Sequence, residues 1–438
     1  MANFDARVEE EIRYEDGAQT RLEFRIAGTL CSGEKLPIAK VNATDFAGLN
    51  WIMPAWGITA VVSAGMGNRD HLRTAIQHLS KPTLRRIYRR TGWVDHEGRK
   101  VFLYQGGAIG AEGIEVDLPA PLDRFFLPSR IDDIRDALSW SFRLLRCGPG
   151  EVMIPLLAAV YTAPLATVLN PDMSIWLYGR TGSLKSTLSA LCQSHFGDFD
   201  RKTLSGSWTS TDNSLEHRLF MLADVLSVID DYAPQADPRA QKDLDRRVQR
   251  ILRNVGNRSS RGRLDVDLEH RPDRPPRGLL LSNGESTPPG LSILARVVLV
   301  EVERSLLNLA EIKAVQDNVH RLRHAMAGYI EWLRPQISSD VAAFHEARDL
   351  LRSEFQSPGL HLRQPEAVAT LLLGLEKVLA YAVEVGAVDQ GFSNDTRERA
   401  RELFGSLLKT QGAMLEAIDP IQHFLTVLGT LIAQGRVV

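Results

Sequence analysis

Gly179-Arg-Thr-Gly-Ser-Leu-Lys-Ser-Thr187 carries the parts needed to hold a polyphosphate. The apolar run Ser174–Tyr178 before it reads as a short buried strand, and Leu188–Cys192 after it continues as a helix. A strand, a glycine-bearing turn and a helix N-terminus together aim backbone N–H groups and a positive dipole end at an anion. Gly179, Arg180, Thr181, Gly182, Ser183, Leu184, Lys185, Ser186 and Thr187 would then form the cradle, with Lys185 reaching the β and γ phosphates and the Ser186 hydroxyl holding Mg²⁺. The strict pattern has glycine directly before the lysine, where this chain has Leu184. We expect Leu184 near helical geometry, where a side chain is allowed. The ligand this motif implies is a nucleoside triphosphate, ATP with Mg²⁺.

Three further positions could act on such a ligand. Val225-Leu-Ser-Val-Ile-Asp230-Asp231 is an apolar strand ending in two carboxylates. Asp230 would orient the Mg²⁺ hydration shell, and Asp231 would polarise the attacking water. Gly278-Leu-Leu-Leu-Ser-Asn283 puts a carboxamide at the next strand end, where ligands of open α/β sheets bind. Asn283 could face the γ-phosphate or the lytic water there, or simply open the turn that Asn-Gly favours. Arg296, before the last apolar run, is either a solvated flank or a cation for a neighbouring subunit's γ-phosphate.

Residues 239–277 hold twelve basic and six acidic residues, a local excess of +6 in a chain whose net charge is −2. Arg246, Arg250 and Arg253 share one helical face, and Arg258 and Arg261 follow. DNA backbone phosphates would suit such a stripe, and so would a salt-bridged helix or a subunit interface.

The elements that must position these groups fit an α/β architecture. With 438 residues, 44% of them apolar, the chain can bury a large core over two or three domains. We expect an N-terminal α+β domain (1–150), a phosphate-loop domain with a mostly parallel sheet (151–306) and a C-terminal all-α region (307–438). In the first, strands are expected at 21–27 and 58–63, a helix at 70–79 capped by Asp70, and a hairpin turning at Glu97-Gly98. The helix 130–146 should stop at Gly148-Pro149-Gly150. Strands are expected at 225–229, 278–282 and 297–302, and C-terminal helices at 307–333, 339–355, 365–385, 394–417 and 421–434. Cys31, Cys147 and Cys192 are too few and too scattered for a disulfide framework or a metal knuckle, which suits the cytoplasm. The uncharged stretch 152–169 approaches membrane-spanning length, but Pro155 and Pro164 interrupt it, so a buried helix and no membrane role are expected.

The order of phosphate loop, Asp-Asp, Asn283 and Arg296 resembles the AAA+ ATPases, particularly the superfamily III and MCM-like helicases. Thr91-Gly-Trp93, Gly106-Gly107, the phosphate loop, Ile229-Asp-Asp231 and Ser282-Asn-Gly-Glu285 are similar to a family described only as a domain of unknown function. That family occurs in primase-helicases of phages, plasmids and integrated elements, and the likeness spans roughly residues 50–305. The resemblance implies an AAA+ core and a homo-oligomer, a hexameric ring that draws single-stranded or forked DNA through its pore. Lys185 and Ser186 match the Walker A positions, Asp230 and Asp231 the Walker B pair, Asn283 the first sensor and Arg296 the arginine finger. It further implies a helicase of a mobile element, served by a separate primase, since neither a primase module nor a winged helix is evident. The alternatives are a nucleotide-gated DNA-binding initiator or loader, and an assembly or signalling ATPase without nucleic acid.

Overall fold

The computed structural model describes residues 2–260, 272–357 and 360–418, with 424, 427, 428, 430–432 and 434 beyond them. Arg261 and half of the expected helix 421–434 lie outside the described residues. By compactness the chain divides into two units, Met1–Arg90 with Gly113–Leu118, and Thr91–Glu112 with Pro119–Val438. The hairpin and the helix expected before residue 150 thus belong to the same unit as the phosphate loop.

The first unit is a five-stranded sheet in the order β3-β2-β1-β4-β8, formed by β1 (Phe4–Glu15), β2 (Thr20–Leu30), β3 (Lys35–Asn42), β4 (Thr83–Tyr88) and β8 (Glu115–Val116). β1 to β3 are antiparallel, whereas β4 runs parallel to β1. Phe4, Ala6 and Val8 alternate inward against Trp51, Trp56, Leu72 and Ile76, the period of a half-buried strand. Two local expectations change. Residues 58–63 are no strand: a left-handed Gly57 (φ 68°) turns the chain into a 3-10 turn, and only Val62 makes an isolated bridge, to Ala2. The helix begins at Asn68 with Gly67 as its cap, so Asp70 sits in the first turn, paired with Arg73 at 3.1 Å.

The second unit opens with an antiparallel three-stranded sheet, β5 (Gly92–His96), β6 (Arg99–Tyr104) and β7 (Gly107–Ile109). The expected hairpin turns at Glu97 (φ 51°) and Gly98 (φ 76°), the two positive values that a tight hairpin requires. The second sheet runs β10-β11-β12-β9-β13, with all neighbours parallel. Its strands are β9 (Ser174–Tyr178), β10 (Gly206–Ser207), β11 (Leu226–Tyr232), β12 (Leu279–Gly284) and β13 (Val297–Glu301). Their near-continuous apolar runs follow from burial on both faces.

Trp176, Ile229 and Leu280 point to one face, where Leu244, Val248, Ile251 and Leu252 of the helix Pro238–Asn257 cover them. The alternate positions face the helix Lys185–Gln193 that follows the phosphate loop. The edge strand β13 is closed by one side chain: Gln411 accepts from Leu299 N at 3.2 Å and donates to the Leu294 and Val297 carbonyls at 2.9 and 2.6 Å. Capping an edge in this way blocks its pairing with another strand.

The apolar stretch 150–169 is a helix, Gly150–Thr162, then a 3-10 turn at Ala163–Leu165 and a last turn, Ala166–Leu169. It is the single stretch among the described residues long and apolar enough to cross a membrane, and 94% of it is buried in the fold. The C-terminal region is helical: Leu309–Asp317, His320–Ser339, Val341–Phe355, Arg363–Glu384 and Gln390–Ile418. The helix expected over 307–333 is two helices, because the chain turns at Asn318, whose side chain donates to Ala314 O at 3.0 Å.

Candidate nucleotide site

The phosphate loop leaves the carboxyl end of β9 and enters the helix Lys185–Gln193. Gly179 (φ 151°) has no room for a side chain, since a Cβ would lie 2.3 Å from the Val302 carbonyl. Gly182 is left-handed (φ 80°), and so is Leu184 (φ 67°, ψ 18°). The expectation of helical geometry at Leu184 is therefore corrected. The last loop residue must turn left-handed to start the helix, which is why glycine suits this position, and a side chain there costs roughly 1–2 kcal/mol.

Lys185 is largely buried, and its ammonium donates to Gly179 O at 2.7 Å, Arg180 O at 3.1 Å and Ser183 Oγ at 3.2 Å. Burial holds its pKa below the usual lysine value, against the opposing pull of Glu285 and Asp230. The cation is thus folded into its own loop, and an incoming phosphate would exchange with those three acceptors.

Strand alternation then selects which acid faces the loop. Ser282 pairs with Ile229 in the parallel ladder, so Asn283 and Asp230 share the face turned to the phosphate-loop helix. Ser186 Oγ donates to Asp230 Oδ1 at 3.1 Å. Asn283 Nδ2 donates to the same oxygen at 2.7 Å, and Asn283 Oδ1 accepts from Ser189 Oγ at 2.7 Å. Asn283 is buried, and this chain of bonds locks its amide orientation. The hydroxyl of Ser186 and the carboxylate of Asp230 form a hard-oxygen pair that fits Mg²⁺.

Asp231 stands apart. It is exposed and left-handed (φ 73°) where the β11–β12 register slips. The structure brings Lys185, Ser186, Asp230 and Asn283 together and leaves Asp231 outside their hydrogen bonds. Glu285, a site residue to which no motif in the sequence assigns a role, accepts from Thr181 Oγ1 across the mouth of the loop. Its place two residues beyond the strand-end Asn283 was the available signal.

Arg296 lies at the opposite edge of the sheet. Its carbonyl accepts from Ser174 N at 3.0 Å, the first residue of β9, so it sits at the amino end of the strands. The guanidinium donates to the Ser292 carbonyl and reaches Asn257 Oδ1 at 3.4 Å, which Arg363 shares at the same distance. Burial, then the like charges of Arg363 and Arg253, lower its pKa. Arg296 therefore cannot touch a phosphate on its own chain's loop.

The basic stripe divides. Arg246 and Arg253 are exposed, Arg246 being 3.5 Å from Asp243. Arg250 is ion-paired with Asp212, which also holds Arg247 at 2.9 Å. Arg258 is internal: it donates to the carbonyls of Pro171 at 3.0 Å, Pro276 at 2.8 Å and Gly278 at 3.2 Å. Burial lowers its pKa to about 10. The fold thus places the Arg258 guanidinium among these carbonyls, with its Nε and Nη1 engaged and its Nη2 buried, rather than beside the exposed Arg246 and Arg253.

Thr91-Gly-Trp93 anchors the start of the acid strand. Thr91 Oγ1 donates to Ala223 O at 2.7 Å and Trp93 N to Asp224 Oδ2 at 3.0 Å. Gly92 (φ 87°) is required there, because a Cβ would lie 2.5 Å from the same Asp224 oxygen. Asp224 Oδ1 in turn accepts from Thr167 N and Oγ1, both at 2.7 Å. The motif thus ties β5 to the residue that leads into β11.

Residues 58–267 match the family model described as Domain of unknown function (DUF927). The match runs from before the Thr91-Gly-Trp93 anchor to beyond Asp230 and the basic helix. Over 98% of its length the chain is similar to a solved structure, SCCmec type IV Cch, an active helicase; 78% of that chain is covered, at a TM-score of 0.59 and 14% identity. At this identity the likeness shows a shared fold. A JCV helicase solved with a bound thiazolopyridine compound is 17% identical over 55% of this chain and 65% of that one, but its TM-score of 0.28 is too low to define a common fold. No curated protein sequence matches the chain significantly.

Proposed function

We propose that the chain is an ATP-dependent DNA helicase or translocase with an AAA+ core, working as a homo-oligomeric ring, hexameric on the family resemblance, in the cytoplasm during replication of a mobile element. The observation that carries this reading is the chain of hydrogen bonds Ser186–Asp230–Asn283–Ser189 at the carboxyl edge of the parallel sheet, beside the buried ammonium of Lys185. Those groups can bind a polyphosphate, hold the Ser186–Asp230 oxygen pair in register and present the Asn283 amide beside it. When bound, Mg²⁺ would neutralise charge developing on the terminal phosphate. Lys185 supplies a second positive charge at the same end of the ligand, and Gly179 and Gly182 let backbone N–H groups approach it. The fold shared with an active helicase agrees with this reading.

The experiment is strand displacement on forked DNA, with Lys185→Ala as the inactive control. ATP-dependent unwinding that Lys185→Ala abolishes supports the reading, and hydrolysis without unwinding refutes the helicase part. The internal partners of Arg250 and Arg258 favour a second reading, an assembly ATPase in which the basic helix is structural. Turnover unaffected by added DNA would select it.

A further inference from the structure

Two cavities adjoin at the first turn of the phosphate-loop helix. The larger, about 470 Å³, opens on Gly182–Thr187 and reaches Arg304, Ile312 and Gln316. The smaller, about 270 Å³, is walled by Ala190, Leu191, Phe199 and Val319. Thr187, Arg201 and Gln316 line both, so the two form one continuous path. We propose that the larger cavity takes the triphosphate and the smaller one the nucleoside, with Gln316 reading an adenine base and Arg201 facing the sugar-proximal phosphate. This rests on the phosphate-loop reading above and adds to it the base and its recognition.

The direction of the ligand follows from the helix. Lys185 and Ser186 hold the outer phosphates, and Thr187 is the next residue inward. Ala190 and Leu191 lie three and four residues further, about 4.5–6 Å along the axis, on the wall where a ribose and base must follow. Ala190, Leu191, Phe199 and Val319 make the apolar part of that wall, with Phe199 supplying an aromatic ring that suits the flat face of a base, while Asp200 and Lys202 line the cavity beside them. The side chains of Arg201 and Gln316 make no hydrogen bond or ion pair among the described residues, although both stand at the junction of the cavities.

A glutamine carboxamide offers a donor and an acceptor side by side, matching adenine N7 and N6–H₂, whereas guanine presents two acceptors at N7 and O6. This mismatch predicts a preference of roughly tenfold for ATP over GTP.

Calorimetric titration of the full chain with Mg²⁺ and ATP, GTP or inorganic tripolyphosphate tests the proposal. ATP should bind more tightly than tripolyphosphate. Val319→Trp, which fills the smaller cavity, should reduce ATP to the affinity of tripolyphosphate and leave tripolyphosphate itself unchanged. Gln316→Ala, at an exposed position, should narrow the ATP-to-GTP ratio about tenfold and serves alone if Val319→Trp fails to fold. An ATP-to-GTP ratio unchanged in Gln316→Ala overturns the base assignment, and an undiminished ATP advantage in a folded Val319→Trp overturns the cavity. Failure of the wild type to bind either ATP or tripolyphosphate is a separate result, which sinks the phosphate-loop reading and this proposal with it.

Discussion

Asn283→Asp keeps the shape of a buried side chain and replaces the amide that donates to Asp230 Oδ1 at 2.7 Å with an oxygen. The wild-type bond ends on a carboxylate, and hydrogen bonds to charged groups contribute about 1.5–3 kcal/mol. In the variant two carboxyls meet at hydrogen-bond distance in a partly buried place, and both cannot ionise freely. One retains its proton, because like charges this close raise the pKa of one carboxyl.

The sign of the pH dependence follows. A carboxyl whose folded pKa lies above its unfolded value contributes stability below the unfolded pKa, near 4, and loses it as pH rises through the folded value. Unfolding free energies of wild type and variant from denaturant titration should therefore lie closest near pH 4 and separate by pH 7.5 by about the 1.5–3 kcal/mol of the lost charge-assisted hydrogen bond. Any acid sensitivity from His195 is common to both and cancels in the difference. Parallel stability curves across this range would refute the Asn283–Asp230 contact and, with it, the site built around it.

Gly179→Ala should abolish nucleotide binding in calorimetry, because its Cβ would lie 2.3 Å from Val302 O on a backbone with φ 151°; an affinity within threefold of wild type contradicts the loop geometry. Leu184→Gly removes a left-handed leucine whose strain of roughly 1–2 kcal/mol is present before any ligand binds, so folding stability should hold or rise and ATP affinity should stay within a few-fold, and a loss as large as that of Lys185→Ala would count against the loop geometry. His195 is fully buried, its Nδ1–H facing the Leu191 and Cys192 carbonyls, and burial lowers its pKa to about 4. The unfolded chain takes up this proton near pH 6.5 and the folded one only near 4, so stability falls by about 3 kcal/mol from pH 6.5 to 4. His195→Gln should flatten that slope in denaturant titrations. Arg296→Ala should keep ATP binding and lose hydrolysis, and mixing it with Lys185→Ala protein should restore part of the turnover; no rescue would return Arg296 to a purely packing role.

What the sequence disclosed was governed by how local the cause of each feature is. The phosphate loop, the acid strand and the Glu97-Gly98 hairpin are written in adjacent residues, through glycine turns and uninterrupted apolar runs. The N-terminal sheet was only half legible. β1 carries Glu9, Glu10 and Glu11, and its register with β2 slips between Val8 and Glu10, so no single alternation runs through its twelve residues. At the site, charge alone could not rank the acids. Asp230 and Asp231 look equivalent until the strand's alternation and the slip at Ile229–Tyr232 give them different surroundings. Arg258 resembles its basic neighbours in sequence, and only the carbonyls of Pro171, Pro276 and Gly278, brought together by the fold, mark it as internal. Gln316 and Arg201 carry no motif and become candidates only because two cavities share them.

The placement of Arg296 constrains any assembly in which it serves a phosphate. The phosphate loop leaves the carboxyl edge of the sheet and Arg296 sits at the amino edge, so one chain cannot complete its own site. A head-to-tail arrangement sets the amino edge of one copy against the carboxyl edge of the next, and such contacts either close into a ring or run on as a filament. In the single chain the guanidinium is tied to Ser292 O and Asn257, while its buried Nε has no partner. A neighbouring triphosphate would compete for a group already held, with Arg253 and Arg363 adding repulsion that favours its release. Turnover per chain must then rise with protein concentration wherever assembly is incomplete, and Arg296→Ala must remove that rise rather than merely lower it.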